Sequence, residues 1–579
     1  MSGCLKLSRN KKINHRNIHF AKCSQCGEFF SNHRSYYNHK KICKKTLVNQ
    51  KCILNFTPEK VEEKQRDVTA FQKKLIEMII GTNMSFSQVE KPYFIELFTF
   101  LGVKETEIPT QYILRKSIIN YSEKIYRTNF SLLENETCSL VVDGSTSWSN
   151  TYYELAIYKP GMIKHYKLMR IGLSTAQHLS SIIKKTIQNL RDKNISIVGI
   201  CTDNGPNLKA ACDQIQTEFL NGTCEFPLIR FACCAHTAQL IIKDLYHTGT
   251  FFGKIAAQSR KLVIWLKKQE IRNYSQKFNL NSPPTFSEIR WNSIYFCIDY
   301  IYQNYYSIND IIEKFKYTKS DLKDDLNDIN DYREIIQILE PINIFTCKVE
   351  SNFATVGDSF KELLKLKEAI SNIKNSKNQL HKIVLKKISD RFEDTCDSDV
   401  AELAYILTDE GRQWWNQKAK KSNLIIRKLT DLQNIDEHEQ KYLTDFLDEK
   451  ERIKKKIENL SDSLKLNRYN AVCAFYAFLN IDSSMYENPI QYWKDQTGSV
   501  WIYDKKPIAV LDSSRIAIRI LTLPCSEALC ERMFSQLKYV HNARRNCLKE
   551  DILDSIINIR FEMNIKSIDV SFEEYDEEY

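Results

Sequence analysis

The stretch that decides the fold is Ile195-Ser-Ile-Val-Gly-Ile-Cys201, followed directly by Thr202-Asp203-Asn-Gly-Pro206. The first seven residues are mostly apolar and β-branched, which predicts a buried strand. Asp203 follows the end of this strand, Asn-Gly-Pro turns the chain, and apolar residues then recur at helical spacing. Open α/β sheets place functional groups at the carboxyl ends of such strands. A single Asp there is more often a helix cap than a ligand, so a catalytic interpretation requires a second acid.

A second acid occupies the equivalent place upstream. The run Ser139-Leu-Val-Val-Asp143-Gly144 is again an apolar strand that ends in Asp, with a turn behind it. Two strand-like runs, Tyr152–Tyr158 and His165–Ile171, and a helical stretch, Ala176–Leu190, then lead to the Asp203 strand. This order is typical of an α/β ribonuclease H-like fold, in which neighbouring strands bring two carboxylates close enough to share divalent metal. Two metal ions about 4 Å apart can flank an in-line phosphoryl displacement.

Five blocks of sequence carry a wider resemblance. They are Leu140-Val-Val-Asp-Gly-Ser-Thr-Ser147, Gly199-Ile-Cys-Thr-Asp-Asn-Gly-Pro-Asn-Leu208, Arg230-Phe-Ala-Cys-Cys-Ala-His236, Arg290-Trp-Asn-Ser293 and Ser526-Glu-Ala-Leu-Cys-Glu-Arg-Met-Phe-Ser535. In this order, behind an N-terminal zinc-finger motif, they resemble the hAT superfamily of DNA transposases. The first block departs slightly from the family pattern, because Ser145 replaces a Trp and Trp148 follows three residues later.

The resemblance implies a cut-and-paste transposase that cleaves transposon ends, forms a hairpin on the flanking DNA and transfers the liberated 3′-OH. Asp143, Asp203 and Glu531 would bind catalytic Mg²⁺ (or Mn²⁺). Cys233 and His236 would lie beside these acids, with His236 near the scissile phosphate. The family also implies a homodimer or a larger homo-oligomer that binds double-stranded DNA.

Two of these assignments have alternatives. Glu527 lies one helical turn before Glu531 and close to the same face, so it competes for the third ligand position. Glu531 is favoured because Glu-Arg-x-Phe-Ser is the family pattern. In the block Arg290-Trp291, the family role of the Trp is to stack on a base flipped out during hairpin formation, a use that suits an aromatic face. The other interpretation is that Trp291 packs in the core at a helix start.

Residues 1–51 form a basic arm with twelve Lys and Arg against one acid, Glu28. Within it, Cys23-x2-Cys26-x12-His39-x3-Cys43 has the spacing of a ββα finger that folds around Zn²⁺. Arg34, Lys40 and Lys41 lie on or near the predicted helix of this finger, where they could contact DNA. Lys40 and Lys41 could equally serve nuclear import.

Composition limits the remaining possibilities. The chain has 579 residues and a net charge of +11, which favours a polyanionic partner. Its 18 cysteines are scattered and no signal peptide is evident, so we expect reduced thiols in the nucleus or cytosol, with the nucleus favoured. No apolar run approaches the roughly 20 residues that span a bilayer, so no membrane partner is expected.

These features predict a ribonuclease H-like core interrupted by a large all-α insertion. The expected divisions are a finger arm (1–51), a linker (52–75), a helical DNA-binding and oligomerisation region (76–136), the first part of the core (137–248), the insertion (249–515), the completion of the core with the dimerisation region (516–562) and an acidic tail (563–579). Two other functions are weighed against transposition. One is a domesticated derivative that binds DNA and dimerises without cutting, and the other is a ribonuclease H-like nuclease that acts on RNA.

Overall fold

The structure is a computed structural model that describes residues 21–22, 29–30, 68–147, 150–172, 174–247, 251–287, 292–315, 326, 328–373, 379–393, 395–396, 398–430, 435–480, 488–541 and 548–573. The chain divides into two compact units, residues 1–72 and 73–579. In the first unit two short strands, β1 (Ala21–Lys22) and β2 (Phe29–Phe30), pair antiparallel. The predicted zinc ligands and basic residues of the finger lie outside the described residues: Cys23, Cys26, Arg34, His39, Lys40, Lys41 and Cys43.

Three helices precede the sheet of the second unit: α1 (Val68–Gly81), α2 (Pro92–Phe100) and α3 (Gln111–Leu133). The helical region predicted from residue 76 therefore begins earlier, within the stretch 52–75 that was predicted as a linker. The helix begins with Val68, Thr69, Ala70 and Phe71, directly after the charged stretch 59–67. Its buried side chains of described position start at Leu75 and Ile76, so there are too few periodic apolar positions before residue 76 to separate this helix from the charged stretch.

A mixed five-stranded sheet forms the centre of the second unit. Its strands are β3 (Thr137–Ser147), β4 (Asn150–Lys159), β5 (Met162–Ile171), β6 (Ser196–Thr202) and β7 (Ile229–Ala232). The spatial order is β5-β4-β3-β6-β7. The first three strands form an antiparallel meander, and β6 and β7 run parallel to β3. The strands predicted around Asp143 and Asp203, and the two between them, are present. The turn predicted directly behind Asp143 is wrong, because β3 stays paired with β4 as far as Ser147.

Helices cover one face of this sheet. They are α4 (Ala176–Arg191) and α5 (Pro206–Leu220), and their buried apolar side chains share a core with Leu140 and Val142 of β3. Side chains alternate along a strand, so Asp143 projects from the opposite face. That second face is the one on which the C-terminal helices pack.

The chain after β7 is mainly helical. Its helices are α6 (Cys234–His247), α7 (Phe251–Leu266), α8 (Gln269–Ser275), α9 (Ser293–Gln303), α10 (Tyr305–Phe315), α11 (Ile329–Val349), α12 (Val356–Ser371), α13 (Leu380–Phe392), α14 (Asp399–Ile406), α15 (Asp409–Thr430), α16 (Glu437–Ser463), α17 (Arg468–Leu479), α18 (Pro489–Asp495) and α19 (Leu511–Leu521). Most of their apolar side chains, including Trp265 and Trp415, are buried in one large core. The predicted helical insertion is therefore present as a packed helical region.

The expectation that residues 249–515 are all-α is wrong in one place. Strands β8 (Val500–Tyr503) and β9 (Lys506–Ala509) form an antiparallel hairpin. The two residues between them, Asp504 and Lys505, both have positive φ angles, 49° and 62°. This is the backbone of a type I′ turn, which usually carries Asn or Gly. Because Lys505 is untypical there, the sequence pattern did not reveal the turn.

Two helices close the fold: α20 (Ala528–Val540) and α21 (Glu550–Glu573). The helix predicted over Ser526–Val540 is confirmed and begins two residues later. α21 packs on β5 and α3 and continues past residue 563, so the predicted acidic tail (563–579) starts inside a helix. None of the helices in the described part of the chain is both long and apolar enough to cross a membrane.

Candidate active site

Asp143 and Asp203 occupy equivalent positions on neighbouring parallel strands. In the register of β3 and β6, Val142 pairs with Thr202, and each Asp is the next residue along the chain. Aligned residues of parallel strands project to the same side of a sheet, so the two carboxylates lie side by side. The structure thus brings the two predicted acids together where the pairing of β3 with β6 ends: Asp203 directly follows β6, whereas Asp143 lies within β3, which continues to Ser147.

Neighbouring backbone N–H groups orient both carboxylates, within β3 at Asp143 and in the turn after β6 at Asp203. The Gly144 N–H donates to Asp143 Oδ1 at 2.6 Å, and the Gly205 N–H donates to Asp203 Oδ1 at 3.0 Å. A Cβ at residue 205 would lie 2.8 Å from that same Oδ1, so only glycine lets the turn close this tightly on the carboxylate. The Asn-Gly-Pro sequence after Asp203 therefore fixes the acid as well as turning the chain.

Arg230 on β7 holds the Asp203 turn from the neighbouring strand. Its Nε donates to Thr202 Oγ1 at 3.0 Å, and its Nη2 donates to the Asp203 carbonyl at 2.6 Å and to Asn204 Oδ1 at 3.0 Å. These bonds go to the backbone and to neighbours of the acid, so Arg230 restrains the turn while the Asp203 carboxylate keeps its place beside Asp143.

Cys233 joins this edge of the sheet to the C-terminal part of the chain. It directly follows β7, and its Sγ accepts hydrogen bonds from the N–H groups of His236 and Glu527, each at 3.4 Å. Next to it, the Cys234 N–H donates to the Cys525 carbonyl at 2.9 Å. Burial and the charge of Glu527 raise the pKa of Cys233 well above its ordinary range, so the thiol stays protonated. The beginning of α20 is thereby anchored beside the two Asp residues.

Glu527 and Glu531 enter the site from this anchored segment. Glu527 is 2% exposed, and its Oε2 has no hydrogen-bond partner among the described residues. Burial raises its pKa well above the ordinary range, and the charges of Asp143, Asp203 and Glu531 raise it further. Glu531, one turn later on α20, is only partly buried. Both predicted candidates for the third acid therefore lie near Asp143, and Glu527, the more deeply buried of the two, is also close to Asp203.

The neighbouring acids also raise the pKa of Asp143. Burial, the charge of Asp203 and, to a smaller extent, the charges of Glu531 and Glu154 raise the pKa of Asp143 from 3.8 to about 8, against the Gly144 hydrogen bond, which lowers it. Carboxylates that repel one another in a buried place are stabilised when a divalent cation neutralises them. Oxygen donors alone suit Mg²⁺ or Mn²⁺.

The acids do not form a closed coordination sphere in this conformation. Among the described residues, no group of three or more His, Cys, Asp or Glu side chains is arranged so that it could hold a metal ion. The buried, unpaired Oε2 of Glu527 and the raised pKa of Asp143 nevertheless fit a cation. The carboxylates would have to move toward one another for three of them to share it.

The segment that supplies Glu527 and Glu531 is also similar in sequence to a known protein family. Residues 478–563 match the family model of the hAT family C-terminal dimerisation region. This match supports membership of the hAT family. The matched segment runs from the end of α17 through the β8–β9 hairpin, α19 and α20 into α21, and such a region supports homo-oligomerisation. No curated protein matches the chain.

The other predicted site residues fall in different places. His236 lies in the first turn of α6, partly buried, with its N–H on Cys233 Sγ. Arg290 and Trp291 lie outside the described residues, just before α9. Asn292 and Ser293 of the same block are described, and the Ser293 Oγ accepts the Ser287 N–H at 2.8 Å. The Trp291 assignment therefore remains a prediction.

A buried charged cluster behind Asp143 was missed from the sequence. Glu154 on β4 is the cross-strand partner of Asp143, and it is fully buried against His165 on β5. The other ring nitrogen of His165, Nε2, lies 3.0 Å from Asp554 Oδ1 on α21, within the hAT-matched segment. Burial alone would lower the pKa of His165, but the charge of Glu154 and hydrogen bonds to both carboxylates raise it to about 10. The only signal in the sequence was a Glu inside the mostly apolar strand β4, because β5 carries Lys and Arg as well as His165.

Proposed function

We propose that the protein is a hAT-type DNA transposase that cleaves DNA with the help of divalent metal. The observation that carries this proposal is that Asp143 and Asp203 each follow the last residue pair of the β3–β6 ladder, with the acidic start of α20 beside them. Phosphoryl transfer to water or a 3′-OH needs a set of carboxylates that holds divalent metal at the reacting phosphate. The hAT-matched segment supplies the additional acids.

The strand order supports a ribonuclease H-like core for this chemistry. An antiparallel meander of three strands is followed by a helix and two parallel strands, and the order β5-β4-β3-β6-β7 puts both Asp-bearing strands at the centre. The helical region lies between β7 and α20, which returns to the sheet through Cys233. The proposed core is thus split in sequence and continuous in space.

Each residue has a defined part in the proposal. Asp143, Asp203 and Glu531 would hold Mg²⁺ or Mn²⁺, which would activate the attacking oxygen and stabilise the leaving oxygen. The Gly144 and Gly205 N–H groups keep the two Asp carboxylates oriented toward that position. His236, at the partly exposed start of α6, would contact the scissile phosphate.

The remaining contacts with DNA belong to the proposal as well. Trp291 and Arg290 would hold the flipped base during hairpin formation, and the Zn²⁺ finger with Arg34, Lys40 and Lys41 would bind the transposon ends. The protein would act in the nucleus as a homodimer or larger assembly on double-stranded DNA.

The decisive experiment compares carboxylate variants on DNA that carries terminal inverted repeats, which are to be identified first in the sequence flanking the gene. We expect D143N, D203N and E531Q to lose Mg²⁺-dependent nicking about 100-fold or more, because each removes several kcal/mol of charge stabilisation. They should also lose the increase in melting temperature that Mn²⁺ gives the wild type, a readout independent of activity. The matched control is D213N, which changes an exposed Asp on α5.

The same experiment assigns the third acid and tests the alternative. If E527Q rather than E531Q removes both nicking and Mn²⁺ stabilisation, the third ligand is Glu527. A wild-type protein that binds the repeats, gains no stability from Mn²⁺ and never nicks them would contradict the proposal. It would instead be a domesticated hAT derivative, an alternative consistent with the absence of a closed acidic cluster in the described residues.

A further inference from the structure

The β8–β9 hairpin presents an apolar face to solvent. Val500 pairs with Ala509 and Ile502 pairs with Pro507, so these four side chains project from the same face of the two strands. All four are exposed, and Val500 and Ile502 are exposed to 64% and 69%. The solvent-facing side of a hairpin is normally polar, so two exposed β-branched apolar side chains are unusual there.

The opposite face of the hairpin is fixed inside the protein. Ile508 is buried, and the Trp501 ring lies 6.0 Å from that of Trp493. The Trp501 Nε1 also donates to Gln496 Oε1 at 3.2 Å. The inner face therefore holds the hairpin in one orientation, so that the outer face is a rigid surface and not the flexible tip of a loop.

We propose that this outer face, Val500, Ile502, Pro507 and Ala509, packs against the same face of a second copy of the chain. The occupant follows from where the hairpin lies, because residues 478–563 match a model described as a dimerisation region. A two-fold axis brings identical patches together, and four uncharged side chains can meet their own copies without repulsion. This inference rests on the matched segment and not on the proposed chemistry.

The size of the face limits its role. A stable dimer usually buries about 800 Å² on each partner, more than four side chains on a short hairpin can supply. The proposed contact must therefore extend beyond the hairpin, and we place this apolar face at its centre, where interfaces are least polar. Such central positions carry most of the binding energy of an interface, so substitutions there should weaken association strongly.

The test is the dimer dissociation constant of the full chain, measured by sedimentation equilibrium. V500T/I502T keeps β-branched side chains and strand preference while it replaces apolar groups with hydroxyls. Because each change occurs twice in a symmetric dimer, we expect the Kd to rise about 100-fold or more. V500E/I502E should be monomeric at all concentrations reached. The control is I264E, which places the same charge on an exposed Ile of α7, outside the matched segment.

Each outcome decides the proposal. A weakened dimer with unchanged circular dichroism and melting temperature supports it, provided that I264E associates like the wild type. An unchanged Kd for V500T/I502T overturns it, as does a wild-type chain that stays monomeric. If V500T/I502T fails to fold, the face packs within its own chain and the proposal is also wrong. Mg²⁺-dependent nicking, assayed separately, would show whether the proposed chemistry fails independently of this surface.

Discussion

The D143N substitution should stabilise the protein when no divalent cation is present. Asp143 is 8% exposed and faces the charges of Asp203 and Glu531, and its pKa is raised from 3.8 to about 8. An acid whose pKa is higher in the folded than in the unfolded state costs stability at every pH above the unfolded value. Asn has nearly the same shape, cannot ionise and can still accept the Gly144 hydrogen bond through its carbonyl oxygen.

The size of the expected gain in stability follows from the pKa shift of Asp143. One pKa unit corresponds to about 1.4 kcal/mol, so a shift of about four units sets an upper bound of about 6 kcal/mol. Reorganisation and the weaker hydrogen bond of a neutral acceptor reduce this, and we expect a gain of about 1–3 kcal/mol at pH 8. The cost appears only as pH rises through the interval between about 4 and 8, so the gain should vanish near pH 4.

Urea unfolding in EDTA, from pH 5 to 8, measures this gain as a difference in midpoint between wild type and D143N. Adding Mn²⁺ should reverse the order at pH 8, because only the wild type keeps the complete set of acids. D213N serves as the control and should leave the midpoint unchanged, since Asp213 is exposed on α5. A D143N protein that is less stable than wild type in EDTA at pH 8 would refute the argument that these acids repel one another in a buried site.

Two further predictions concern other parts of the chain. C26S should release one Zn²⁺ per chain, measured by metal analysis of the purified protein, and should weaken end-specific DNA binding more than strand transfer on pre-cut ends; unchanged zinc content would contradict the finger. H165Q should destabilise the protein by about 3–5 kcal/mol, because it leaves Glu154 and Asp554 facing each other without the cation between them. The folded pKa of His165 is near 10, so the loss should be full below pH 6.5 and should shrink as pH rises toward 10. H178Q, on an exposed His of α4, should have no effect in the same urea titration.

The sheet and its two Asp residues could be predicted because their signals are local. In β3 and β6 a mostly apolar run leads directly to an Asp, and the parallel pairing of these two strands brings the Asp residues together. The continuation of β3 to Ser147 was not predicted, because Gly144-Ser-Thr-Ser147 has the composition of a turn. The turn at Asp504-Lys505 could not be predicted, because its positive φ angles are carried by residues that rarely adopt them. The hairpin it closes is held by Trp501 and Ile508, contacts that exist only after the helices have packed.

From the sequence alone, the third acid of the site could be assigned only to one of two residues. Glu527 and Glu531 are four residues apart, so helical periodicity puts them on nearly the same face. The two residues differ in how deeply they are buried. Glu527 is held in the buried position because its N–H donates a hydrogen bond to Cys233 Sγ, although the two residues are almost three hundred positions apart in the sequence. No local pattern contains that contact.

The site is therefore a product of the whole second unit. The sheet places Asp143 and Asp203 side by side, but the acids that complete the set reach them only when the chain returns through Cys525 to Cys234. Gly199 permits this return, because a Cβ there would lie 2.3 Å from Leu523 Cδ2. The segment that closes the site also carries the exposed face of the β8–β9 hairpin and Asp554 of the buried His165 cluster. One folded segment therefore supplies both the acids that complete the proposed site and the proposed dimer contact, and the contacts of Cys233 and Cys234 hold that segment on the sheet.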